Sequence, residues 1–147
     1  MLNRIIALLL LLATATSCDK RHINSNEEAI GNFDILADIV KIVYSTDNDT
    51  SHAYNVSYRG IVRAPAETDS IGEDFVILQY FTPYNDMGEM VAHVGGDSIY
   101  VDRAVMPIDS ASGKGKFKGL DLIMNFDYRV GGHTSYSVTL IATKRVK

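Results

Sequence analysis

Beyond residue 50 the chain alternates apolar and polar residues with a period of two, the spacing of strands that bury one face. Between residues 54 and 62 the even positions read Tyr54, Val56, Tyr58, Gly60 and Val62, with Asn55, Ser57, Arg59 and Ile61 between them. In Asp121–Val130, Leu122, Met124, Phe126, Tyr128 and Val130 share one face; Asp121, Asn125, Asp127 and Arg129 share the other. After Gly131-Gly132-His133-Thr134 the alternation resumes with Tyr136, Val138, Leu140 and Ala142, which predicts an antiparallel hairpin. Residues 90–94 and 98–105 form a second expected hairpin about Gly95-Gly96-Asp97. Residues 75–81 are apolar on both faces, as in a strand covered on both sides. Gly113-Lys114-Gly115-Lys116 reads as a turn leading into a strand through Phe117.

Residues 33–45 fit two templates. Phe33, Leu36, Val40 and Val43 make a helical stripe, extended by Ile35, Ile39 and Ile42. Residues 39–44 are also rich in β-branched side chains and precede Thr46-Asp47-Asn48-Asp49, a turn signal. The favoured reading is a short helical entry near residues 27–31, then a strand ending near Ser45. With no long periodic helix, the chain predicts an all-β antiparallel meander of about seven or eight strands. Such a meander closes as an up-and-down barrel or packs as a two-layer sandwich.

The first residues follow another pattern. One basic residue, Arg4, precedes nine unbroken apolar residues at positions 5–13, and Thr14-Ala15-Thr16-Ser17 leads to Cys18. This is the three-part layout of a signal peptide. Nine residues span about 14 Å as a helix, less than half of a bilayer core, too short for a transmembrane helix. Ala15-Thr16-Ser17-Cys18 resembles the lipobox of bacterial lipoproteins, with Ala15 where leucine or another aliphatic residue is more usual. The resemblance implies cleavage before Cys18, acylation of that cysteine (palmitate among the acyl groups), and anchorage in a Gram-negative cell envelope. The expected address is the outer membrane, on its periplasmic face or at the cell surface. Three segments follow: a signal peptide (1–17), a lipidated flexible tether (18–30) and a β-domain (31–147). The stretch from Gly115 to Thr143 runs glycine, alternating strand, glycine turn, alternating strand and basic end. It resembles the last hairpin of small lipoproteins with lipocalin- or calycin-like domains.

Composition narrows the function. Cys18 is the single cysteine of the 147 residues, which leaves no disulfide, thiol nucleophile or thiolate metal site for the domain. Without the leader, 13 basic residues stand against 18 acidic ones, a net charge of −5. That balance argues against nucleic acid, which rewards clustered cations through counterion release. No GxSxG elbow is present, and Gly113-Lys114-Gly115-Lys116 lacks the spacing and the Lys-Ser/Thr pair of a phosphate loop. His22, His52, His93 and His133 have no ligand spacing between them. Asp47-Asn48-Asp49-Thr50 offers hard oxygens without an EF-hand's glycine and distal glutamate, and reads as a turn. Neither metal nor cofactor is expected, and no enzyme activity.

Two groups of residues remain. Of the eight tyrosines, Tyr54, Tyr58, Tyr128 and Tyr136 fall on apolar strand faces, whereas Tyr80, Tyr84 and Tyr100 lie near strand ends. The first four are the candidate ligand-facing residues: a ring stacks on an apolar or sugar-like ligand while its hydroxyl forms a hydrogen bond. Tyrosine also fills β-sheet cores with no ligand at all. Asp69-Ser70-Ile71, Asp97-Ser98-Ile99 and Asp109-Ser110-Ala111 resemble the O-glycosylation acceptor of one Gram-negative lineage, which makes Ser70, Ser98 and Ser110 candidate acceptors. The sequence thus predicts a non-catalytic envelope module that binds a small molecule or another envelope protein. The alternative is an accessory surface subunit that pairs through strand edges, for which residues 40–44 are the candidate edge.

Overall fold

The computed structural model describes residues 26–83, 88–105 and 107–146. The leader, Cys18, His22 and Tyr84 lie outside the described residues. Asn26–Ala29, within the stretch expected to be tether, forms one helical turn (α1) with Ala29 fully buried. The strand reading wins for the stretch after it: β1 spans Gly31–Val43 and buries Phe33, Ile35, Ala37 and Ile39. A period of two, supported by the β-branched Ile39, Val40, Ile42 and Val43, decides against the helical stripe. Leu36 and Val40 accordingly face outward and are exposed.

The chain continues through β2 (Thr50–Arg63), β3 (Phe75–Gln79), β4 (Glu89–Gly95) and β5 (Ser98–Val105). It ends with β6 (Ile108–Lys118), β7 (Asp121–Val130) and β8 (Thr134–Lys144). Each strand pairs antiparallel with the next, and β8 returns to pair with β1, which closes an eight-stranded barrel. Both expected hairpins form. Val130 faces Thr134 across Gly131-Gly132-His133, and Gly95 faces Ser98 across Gly96-Asp97. Gly131 and Gly132 sit at φ 64° and 70°, where a side chain would be strained.

Gly113-Lys114-Gly115-Lys116 is not a turn. It is the middle of β6, and the turn that follows is at Gly119-Leu120. A Cβ at Gly113 would lie 2.3 Å from Phe126 Cβ and 2.4 Å from the Asn125 carbonyl oxygen. Glycine is present there because β7 approaches too closely for a side chain.

The interior is filled from every strand. Phe33, Ile35, Leu78, Met90, Ile99, Leu122, Met124 and Leu140 are among its fully buried side chains. Ile77 and Val91, register partners on β3 and β4, are equally buried on the outer side, so β3 is covered on both faces as its sequence predicted. The barrel has two ends. At the entry end lie α1, the β2–β3 connection, the turns at Gly96 and Gly119, and the C-terminal segment. At the far end lie the β1–β2 and β7–β8 connections, the last residues of β3 and β5 and the first of β4 and β6.

Candidate functional site

The alternation that builds the strands also delivers the tyrosines. Tyr54 and Tyr58 lie on the inner face of β2, half-buried, and Tyr128 and Tyr136 lie buried on β7 and β8. Tyr54, Tyr128 and Tyr136 collect toward the far end. Tyr128 and Tyr136 are register partners, their rings parallel within 7° and 4.5 Å apart. Phe126 extends the stack at 6.0 Å. Lys41, the ladder partner of Tyr136 on β1, holds its Nζ 5.8 Å from the centre of that ring. A cation over an aromatic face is favourable, and here it puts a positive charge at the edge of an aromatic lining. Tyr58 stands deeper and donates a 2.7 Å hydrogen bond to the Phe81 carbonyl. Burial pushes its phenol pKa well above the ordinary tyrosine value.

Beside the Tyr128–Tyr136 pair is a hollow of about 330 Å³ across β6, β7 and β8. Two ladder rows line it. Ser112, Asp127 and Ser137 form one, and Ser110, Arg129 and Ser135 the other. Asp127 and Arg129 make no ion pair or side-chain hydrogen bond with one another or with other described residues. These six side chains alternate with the buried Tyr128 and Tyr136, so the hollow opens on the outer face of the sheet with the two rings on its inner face. Hydroxyls, a carboxylate and a guanidinium on one surface are the complement of a polyhydroxylated ligand. The alternation of β7 and β8 already assigns Asp127, Arg129, Ser135 and Ser137 to one face, whereas Ser110 and Ser112 lie on β6, whose glycines read as a turn. Their proximity depends on the register across three strands.

Other predicted positions are placed differently. Ser70 is exposed in the β2–β3 connection and Ser110 is exposed on β6. Ser98 is half-buried and donates to Asp97, whose carboxylate also pairs with Lys116 at 2.9 Å. Tyr80 and Tyr100 are exposed, Tyr100 outside the barrel with its ring stacked 5.1 Å from His93. His93 Nδ1 is 2.7 Å from Asp102 Oδ2, an orientation a general base needs. No hydroxyl or thiol among the described residues is hydrogen-bonded to its other nitrogen. His52 and His133 are exposed and separate from it. Residues 44–49 form a loop in which Asp49 accepts from the Ser45 amide, as a turn requires. Among the described residues no three His, Cys, Asp or Glu side chains gather as a metal site.

Sequence reasoning passed over one cluster. Arg63 on β2 reaches Asp69 at 2.8 Å and both oxygens of Glu89 at 3.0 Å, and Gln79 donates to Glu89 at 2.9 Å. The Arg63 hydrogen bond, and then that of the Ala66 amide, hold the Asp69 carboxyl below the usual carboxylate range. This network ties the β2–β3 connection to the outer side of β3 and β4. No motif announces it, because its four members come from four separate segments.

No family model matches the chain, and no curated protein matches it. Among solved structures it is similar to the ywiB protein from Bacillus subtilis, at 7% identity and a TM-score of 0.33, over 82% of this chain and 98% of that one.

Proposed function

We propose that the protein is a lipid-anchored, non-catalytic binding module of the cell envelope that holds a small sugar-like ligand on the outer face of β6–β8, toward the far end of the barrel. The observation that carries the ligand class is the hollow beside Tyr128 and Tyr136, lined by four serines, Asp127 and Arg129. An apolar ligand finds less support there, because the side chains that face the hollow include four serines, a carboxylate and a guanidinium. The anchor rests on Cys18 at the end of the leader. An accessory subunit that pairs through strand edges needs a free edge, and residues 40–43 are bonded on both sides, to β2 and to β8.

The chain contains no tryptophan, so its emission comes from tyrosine, including Tyr128 and Tyr136 directly beneath the hollow. Titration with maltose and chitobiose should change that emission. Arg129→Met or Asp127→Asn should weaken binding of the responding sugar about tenfold, or 1.4 kcal/mol. Because both side chains are exposed, unfolding free energy should change by less than about 0.5 kcal/mol. A response that survives both substitutions removes the hollow from the reading. Fatty-acid labelling that depends on Cys18, lost in Cys18→Ala, tests the anchor separately. Ser70 and Ser110 are the more accessible of the three candidate glycan acceptors. Mass spectrometry of the native protein showing all three serines bare would end that assignment.

A further inference from the structure

The entry end carries a feature that neither the ligand nor the anchor explains. On one side of it, the β6–β7 turn and the C-terminal segment form a lip, tied together by the Lys144 amide donating to the Leu120 carbonyl. Two apolar side chains stand at its tip, Leu120 at 50% exposure and Val146 at 74%. In a chain whose interior takes most of its large apolar residues, two exposed ones flank the same backbone contact.

Basic residues surround them. Lys114, Lys116 and Lys118 project outward along β6, and Arg145 adjoins Val146. The acids of this side are engaged: Asp97 with Lys116, and Asp121 with the Thr143 hydroxyl. Arg145 also lies 3.6 Å from Asp34, and the Lys144 ammonium donates to the Glu28 carbonyl. The acids without such partners are Glu27 and Glu28 on α1, which adjoins Lys144, and Glu67, Glu73 and Asp74 in the β2–β3 connection. In a chain of net charge −4 the lip thus gathers Lys114, Lys116, Lys118, Lys144 and Arg145 against Asp34, Asp97 and Asp121, a local excess of cations. Such a local excess draws that side of a domain toward an anionic surface.

Chain geometry points the same way. Asn26 enters at this end, and seven residues separate it from Cys18. Fully extended, they reach about 25 Å. That part of the argument rests on the lipid-anchor reading; the charge and the apolar tips do not.

We propose that this lip rests on an anionic phospholipid surface. Leu120 and Val146 enter the headgroup region, and Lys116, Lys118 and Arg145 lie beside the phosphates. Each free basic residue near such a surface adds about 1 kcal/mol; Lys118 contributes in full, whereas Lys116 and Arg145 contribute less because Asp97 and Asp34 share their charge. The barrel then leans toward β6–β8, with its far end directed away from the bilayer.

The test uses the chain from residue 18 onward with Cys18→Ala, which carries no acyl group and no thiol. The proposal expects at least about tenfold more protein to sediment with vesicles of phosphatidylcholine and phosphatidylglycerol than with phosphatidylcholine alone, and less as salt rises. Lys118→Glu combined with Arg145→Glu should lower that binding about tenfold, with an unchanged circular dichroism spectrum. Leu120→Cys, labelled with a polarity-sensitive dye, should shift to the blue on these vesicles, while Asp47→Cys at the far end should not. Equal binding to both vesicle types, binding that survives charge reversal, or equal dye shifts at both positions would overturn it. If the protein binds neither vesicle but captures a soluble partner through Leu120, the lip is a protein contact and the proposal fails. Because no lipid is attached here, this outcome is independent of whether Cys18 is acylated in the cell.

Discussion

Gly113 shows how one missing side chain sets the spacing of two strands. The atoms that a Cβ would meet include the backbone of Asn125 and Phe126, which cannot turn away as the end of a long side chain can. Gly113→Ala should therefore cost at the upper end of the roughly 1–3 kcal/mol seen for overpacked sites. Urea unfolding measures it, with Lys114→Ala as the exposed control. Tyr58 is the other telling residue. Its phenol titrates well above the ordinary value because it is buried, and it keeps its proton to bond the Phe81 carbonyl. A folded pKa above the unfolded one gives stability that is complete below about pH 10 and declines as pH rises beyond it. Alkaline unfolding should accordingly begin near pH 10. In Tyr58→Phe that slope should flatten, while stability at neutral pH falls by about 1 kcal/mol for the lost hydrogen bond. An unchanged alkaline limb would show that Tyr58 does not set it.

Among the elements, the β2–β3 connection is the one held by charge. With the Asp69 carboxyl depressed by Arg63, its contribution is present above the normal carboxylate pKa and is lost as pH falls through the lowered value. Amide exchange in residues 64–74 should quicken in acid, and Asp69→Asn should reproduce the fast rate at neutral pH. Equal rates for both proteins across that range would mean that other contacts hold the connection. Such an element is hard to read from sequence, since Arg63, Asp69, Gln79 and Glu89 are unremarkable until the fold joins them. The strands were legible because burial on one face writes a period of two, as in β7 and β8. Where two periods overlap, as in β1, β-branching was the better guide. Where glycine stood for close approach rather than a bend, as in β6, composition misled. The inward tyrosines were legible by the same alternation. Ser135 and Ser137 were legible as one face of β8, but Ser110 and Ser112 on β6 were not, and their meeting was hidden because register between strands is not written locally.

Across the whole molecule the ladders are uneven. β1 has 13 partners in β2 and 11 in β8, whereas β2 and β3 share three and β5 and β6 share four. Hydrogen exchange should be slowest in β1, β7 and β8, and faster in β3 and in residues 102–105 of β5, as local opening follows the missing pairs. Uniform protection would contradict that ranking. The two proposed surfaces stand at opposite ends, so a bilayer under the lip leaves the hollow open to solvent. One consequence reaches back to synthesis. The seam that completes the barrel joins the first strand to the last, with Phe33 opposite Lys144. Contacts so distant in sequence form slowly. Until β8 has been synthesised, β1 lacks one of its two neighbours and the cylinder stays open. On the proposed envelope address, this late closure keeps the earlier strands threadable through a membrane until β8 exists.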